Sequence, residues 1–273
     1  MKRRSLAVVL LVVALLLLGA CGGNSKVDEW LGTSDPVAVQ PVVIDFLCDP
    51  SRGSSCTEAT LLETLDIALA NAAPRPGSVV RVWIQGSDVE STVAVCATTS
   101  VKSKRSGQRA IRDAENHWIT KSRAEMLRAV RPHFGTHARR SPIAEAVTRV
   151  ALSAAPIGAE RWIVIVSDGL EVSAFGDFEC GKLPRATTFV ANVQRERVLV
   201  PDSLRAIHLR MCHLDLTPID GGRCPMTLSR AAQVRTLWTT AFKAAGARDV
   251  ALSDGALSAF TSTNANKGER NDQ

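Results

Sequence analysis

Apolar residues in this chain gather in short continuous runs separated by longer stretches with a helical period. Residues 41–48 (PVVIDFLC), 79–84 (VVRVWI), 161–166 (RWIVIV), 204–212 and 249–253 are each too short for a typical helix, most are rich in β-branched side chains, and we read each as a strand. Between them, residues 55–73 set Leu61, Leu62, Leu65, Leu69 and Ala72 on one helical face, and Ser55 and Glu58 are spaced for a capping box. Residues 111–131 align Trp118, Ile119, Met126, Leu127 and Val130 in the same way, residues 141–155 align Ile143, Ala146, Val147 and Val150, and 228–245 reads as a long helix. Pro74, Pro76 and Gly77 break the chain before the second strand, and Gly86-Ser87-Asp88 is placed to turn it into 91–97 (STVAVCA), which predicts a hairpin. Strands alternating with helices predict an α/β domain: a doubly wound, mostly parallel sheet with one antiparallel edge strand and helices on both faces.

The two ends depart from this pattern. Lys2, Arg3 and Arg4 precede an apolar run from Leu6 to Leu18, and Gly19, Ala20 and Cys21 follow. A charged start, a short greasy core and small residues describe a secretory signal over residues 1–20, shorter than a membrane-spanning helix needs. Leu18-Gly19-Ala20-Cys21 resembles the bacterial lipobox, which implies cleavage before Cys21 and diacylation of its sulfur. Gly22 follows in place of the Asp that holds lipoproteins at the inner membrane of enteric bacteria, so the expected location is the cell envelope, with the outer membrane favoured. Residues 21–38 are polar and aperiodic, as a tether would be, the domain proper is expected over 39–258, and 259–273 reads as a disordered polar tail.

Removing the signal changes the charge argument. The whole chain has 33 basic against 27 acidic residues, but residues 1–20 contain three of the bases and none of the acids, leaving 30 against 27. So balanced a charge gives no reason to expect a nucleic-acid partner. Apart from Cys21 there are six cysteines, an even number suited to an oxidising compartment. Sequence does not choose among their pairings. The expected set is Cys48–Cys56, Cys212–Cys224 and, by remainder, Cys96–Cys180. A zinc site at Cys212, His213 and Cys224 lacks the paired close spacing such sites use, and His133 and His137 lack a third ligand.

In a doubly wound sheet, ligands collect at the carboxyl ends of the strands, so the loops there hold the candidate chemistry. The first strand runs into Asp49-Pro-Ser51-Arg-Gly53-Ser54, the 141 helix opens on Ser141-Pro-Ile143, and the strand at 161–166 runs into Ser167-Asp168-Gly169. These three segments resemble, in order and spacing, those of the von Willebrand factor type A domain, over residues 40–255 or so. The resemblance implies a site for Mg²⁺ or a similar divalent cation, with Asp49, Ser51, Ser141 and Asp168 as ligands, Ser54 as a further candidate, and a partner's carboxylate completing the shell. Ser141 stands where the family has Thr, and Gly53 where it has a second Ser. Two readings stay open here: a metal site, or a degenerate one in which Asp49 and Asp168 are held by loop amides. Asp45, inside the first strand, offers an alternative register without hydroxyls, and Asp49 is preferred.

Residues 102–140 hold eleven bases against three acids, which suits an anionic partner or simply a solvated helix face. No nucleophile elbow, Walker loop, metalloprotease helix or dinucleotide fingerprint occurs, so an enzyme, a small-molecule substrate and a hydrolytic role for Ser167 are not expected. The expected function is protein binding in the cell envelope, by a cation-assisted site or by a metal-free scaffold that uses the basic region.

Overall fold

The structure, a computed structural model, describes residues 40–255 apart from 52–53, 89, 104–106, 135–139, 217–223 and 225. The expected signal, the lipidation site Cys21, the tether, the polar tail, Gly53 and His137 lie outside the described residues.

Eight strands and five helices are described: β1 (Val42–Cys48), α1 (Glu58–Ala72), β2 (Val79–Ile84), β3 (Val93–Thr99), α2 (Gln108–Val130), α3 (Ile143–Ala151), β4 (Glu160–Val166), β5 (Val172–Ser173), β6 (Gly176–Asp177), α4 (Ala186–Arg195), β7 (Ile207–Cys212), α5 (Leu228–Ala244) and β8 (Asp249–Leu252). A short 3₁₀ turn, Arg131–His133, follows α2. Six strands form one sheet in the order β3-β2-β1-β4-β7-β8; β3 is antiparallel to β2 and the other pairs are parallel. The fold is therefore the expected α/β architecture. β5 and β6 form a separate two-stranded hairpin.

Strand periodicity sorts the core onto two faces. Val42, Ile44, Phe46 and Cys48 of β1 and Trp162, Val164 and Val166 of β4 pack with Leu61, Leu65 and Leu69 of α1 and Met126 and Val130 of α2. Leu47, Ile163, Ile165, Leu209 and Met211 point the other way, against Ile143, Val147 and Val150 of α3, Phe189 and Val193 of α4, and Val234, Trp238 and Phe242 of α5. Each fully buried side chain of this size stabilises the fold by roughly 1.5–3 kcal/mol.

Asp45 belongs to the second face and is fully buried there. Arg81 meets it with two hydrogen bonds of 2.6 and 2.8 Å, Trp83 Nε1 donates at 2.9 Å, and Arg161 Nη2 at 3.3 Å. Arg161 also donates to the carbonyls of Val150 and Ala151, closing the C-terminal end of α3. This acid is a structural counter-ion in mid-strand, three residues before the carboxyl end of β1.

Local signals at the start of α1 differ from the expectation. The N-cap is Thr57, whose hydroxyl accepts from the Thr60 amide while Thr60 Oγ1 accepts from the Thr57 amide. The capping box is Thr57–Thr60 rather than Ser55–Glu58, because the Cys48–Cys56 disulfide holds the preceding turn and starts the helix two residues later.

That disulfide is as expected, but the other two pairings are not. Cys180 pairs with Cys224, and Cys96 and Cys212 are free. Cys212 points into the α1/α2 face, whereas Cys224 precedes α5 on the opposite face; Cys96 packs on the α1/α2 face, and Cys180 follows Phe178 on the α5 side. The sheet separates both expected pairs. Arg230 of α5 draws the two loops together by donating to the carbonyls of Phe178 and Gly181. With Cys224 in a disulfide, the trio of Cys212, His213 and Cys224 holds no zinc site.

Candidate functional site

Strand order reverses between β1 and β4: the chain winds outward from β1 through β2 to β3, then returns to the other side of β1 for β4, β7 and β8. Loops leaving β1 and β4 diverge at this point and leave a crevice at the carboxyl edge. Asp49 and Asp168 stand at its two sides, and the Asp49 amide donates to Val166 O at 3.2 Å.

Asp49 is 2% exposed, and donors surround its carboxylate. Oδ1 accepts from the Ser51 amide at 3.0 Å, a short-range turn that folds the β1 loop back on its own acid. Oδ2 accepts from Ser141 Oγ at 2.7 Å and Ser167 Oγ at 3.2 Å. Ser141 Oγ in turn accepts from Gln85 Nε2 at 2.9 Å. Gln85 is buried at the end of β2, and its Oε1 has no hydrogen-bond partner among the described residues.

Ser141 is held from both directions. It forms a two-bond antiparallel bridge with Val172, 3.0 and 3.1 Å. One residue earlier, the fully buried Glu171 accepts from the Ala144 amide at 3.1 Å, at the first turn of α3. A carboxyl at a helix N-terminus satisfies orphan amides there. Burial nevertheless pushes Glu171 up to about 8, against the hydrogen bonds from Ser173 and the Ala144 amide. The loop after β4 therefore positions the start of α3, and with it Ser141.

Asp168 is fixed by its own loop. Its Oδ1 accepts from the Leu170 amide at 3.0 Å and lies 3.5 Å from Ser167 Oγ. Gly169 adopts φ +74°, and a side chain there would run into Leu214. Trp238 Nε1 of α5 donates to Gly169 O at 2.8 Å. Burial lifts the Asp168 carboxyl to about 7; the Leu170 amide and the Ser167 hydroxyl act against this, and the charges of Asp49 and Glu179 add to it. Among the described residues no Lys, Arg or His side chain bonds to Asp49 or Asp168. Arg140, next to Ser141, is exposed, and its charge acts on Glu145.

Of the residues expected at the site, Asp49, Ser141 and Asp168 lie at one rim, Asp49 bonded to Ser141 directly and linked to Asp168 through Ser167. Ser51 contributes its amide to Asp49. The Ser54 hydroxyl is turned to the Cys56 amide at 3.2 Å. Sequence reasoning missed Gln85 and Glu171 and weighed Ser167 only as a nucleophile. Gln85, the first residue after the β2 run, was findable as a polar residue at a carboxyl edge; Glu171 had no local signal. Two carboxylates with hydroxyls from separate loops, drawn together without a bound base among the described residues, form an oxygen donor set that fits a hard divalent cation.

No family model matches the chain, and no curated protein matches it. Solved structures with a remote likeness include the pilus adhesin SpaC from Lactobacillus rhamnosus GG, 12% identical with a TM-score of 0.45, over 80% of this chain and 29% of that one. Another is the manganese-loaded TRAP protein of Plasmodium vivax, 10% identical with a TM-score of 0.30, over 63% of this chain and 57% of that one. This chain thus spans less than a third of the adhesin and little more than half of TRAP.

Proposed function

We propose that this is a lipid-anchored envelope protein of the von Willebrand factor A type that binds another protein through a divalent cation at the β1–β4 crevice. The observation that carries this reading is the convergence of Ser141 and Ser167 hydroxyls on Asp49 Oδ2 beside Asp168. Mg²⁺ or a similar ion would be held by Asp49, Ser141 and Asp168, with Ser51 and Ser167 as further hydroxyl donors. The ion would neutralise the acids and offer a coordination position to a partner's carboxylate. Ser167 supplies a hydroxyl to a rim whose first loop has Gly53 in place of a serine. Its bonds to Asp49, Asp168 and the Gly169 amide suit a ligand more than a hydrolytic nucleophile. Anchoring through lipid on Cys21 places the domain in the bacterial envelope.

A second reading has one observation in its favour. Arg109, Arg112 and Arg128 on α2 are exposed and enter no ion pair among the described residues, while Arg123 pairs with Asp66 and Arg131 with Glu58. A metal-free scaffold would use that face. Isothermal calorimetry separates the two. The cation reading expects Mg²⁺ or Mn²⁺ to release or absorb heat with the intact protein and none with Asp168→Ala; no heat from the intact protein would leave the scaffold.

A further inference from the structure

The edge of the sheet opposite the crevice has its own chemistry. β1, β2, β4, β7 and β8 are parallel, so the segments leading into them lie along one edge, where the antiparallel β3 ends. Backbone hydrogen bonds join these segments: Glu160 N to Pro41 O, Gly77 N to Ser100 O, and Arg248 N to Ile207 O. Three of the five large apolar side chains exposed among the described residues are here: Ile157 at 104%, Leu152 at 75% and Val101 at 72%. The loop 152–158 reads LSAAPIG, without a charge.

This loop is held in place. Arg81 donates to Ala154 O at 2.7 Å and Arg161 to Ser153 Oγ at 2.8 Å, both from the buried cluster around Asp45. Its apolar side chains are thus presented outward by a fixed backbone. Single exposed apolar residues are ordinary, but a charge-free loop led by a fully exposed Ile marks a contact surface. Around it, Lys102, Arg149, Arg205 and Arg248 are exposed and enter no ion pair among the described residues. The acids at this end are Glu160, taken by Arg75, Asp249, taken by Arg210 and His208, and the exposed Glu196 and Asp202.

The chain also enters the domain here, and the Gln40 side chain donates to Gly158 O. Eighteen residues, 22–39, separate Gln40 from Cys21, a span of at most ~65 Å.

We propose that this edge is a membrane-docking face. Ile157, Leu152 and Val101 enter the interfacial layer of an anionic bilayer, Lys102, Arg149, Arg205 and Arg248 meet its headgroups, and the crevice faces away from the membrane. The proposal rests on the anchored reading for the tether that keeps the edge near lipid, where a high effective concentration lets weak contacts hold.

Hydrogen–deuterium exchange with mass detection tests it on the full chain, reconstituted in phosphatidylcholine–phosphatidylglycerol vesicles and compared with nonionic detergent. Amides of 152–159 should exchange about tenfold more slowly in vesicles, while those around Ser87 at the crevice edge keep their rate. The double variant Leu152→Asp/Ile157→Asp changes only exposed side chains and should abolish the slowing. Loss of the effect in pure phosphatidylcholine supports the role of the cations; an equal effect there overturns it. The N-terminal peptide mass reports acylation separately. An acylated protein with unprotected 152–159, or with protection around Ser87 instead, overturns the docking face and leaves the anchor standing. An unacylated protein with protected 152–159 overturns the anchor and leaves the docking face standing.

Discussion

Ser141 donates its hydroxyl to Asp49 across 2.7 Å, although 92 residues separate them in the chain. The bond joins the start of α3 to the end of β1 and sets the spacing of the candidate site. Ser141→Ala would leave Gln85 Nε2 and one lone pair of Asp49 without their partner in a buried place. The expected loss is about 1–3 kcal/mol, read from urea denaturation, whereas Ser141→Thr keeps the hydroxyl and should cost less.

Asp45 within β1 and Asp49 just past its end lie four residues apart and should fail differently. Asp45→Asn strips the counter-charge from the partly buried Arg81 and Arg161, and a loss of ~3–5 kcal/mol is expected with the Mg²⁺ response intact in whatever protein remains folded. Asp49→Asn should abolish the Mg²⁺ heat at a smaller cost in stability. Parallel calorimetry and denaturation of the two variants check this, and the opposite pattern would place the site acid at Asp45.

Cysteine chemistry should report the two faces of the sheet. Non-reducing peptide maps should contain a Cys180–Cys224 link and a Cys48–Cys56 link, with Cys96 and Cys212 unpaired. Under native conditions iodoacetamide should modify the partly exposed Cys96 first. Burial pushes the Cys212 thiol up to about 12, and it should react only after unfolding. Cys180→Ser should cost about 2–4 kcal/mol.

Glu171 gives the fold a pH dependence of definite sign. In the unfolded chain it ionises near ~4.3, while in the folded protein burial holds it at about 8. Between these values the native state retains a proton that the unfolded state has released, so stability is fully present below the lower value and falls as pH rises toward the upper one. Glu171→Gln keeps a neutral side chain at every pH. Chemical denaturation from pH 5 to pH 8, a range set by those two values, should show wild-type stability falling and a flatter profile for the variant.

Much of this fold was legible in the order of residues. β1, β2 and β4 appear as apolar runs because buried parallel strands need both faces apolar. The carboxyl edge pointed to the loops to search, and Asp49, Ser141 and Asp168 were singled out there by the resemblance of those loops to the type A motif. α4 was missed, since only Phe189 and Val193 of its ten residues are buried and two points give no period. The β5–β6 hairpin was missed too: strands of two residues have no sequence signature, and this one stands where Glu171 and Val172 must reach α3.

By itself the sequence determined the six strands of the main sheet, most of the helices and their alternation, because these follow from local periodicity, and the resemblance of three loop segments to a known motif picked out the acids at the rim. Only the tertiary structure decided which cysteines meet, that Ser167 bridges Asp49 and Asp168, that Glu171 holds the start of α3, and that the charge-free loop at 152–158 is braced outward by Arg81 and Arg161. Those relations depend on which face of the sheet a side chain occupies relative to a distant segment. Contacts between such segments are set by packing of the whole core rather than by spacing along the chain.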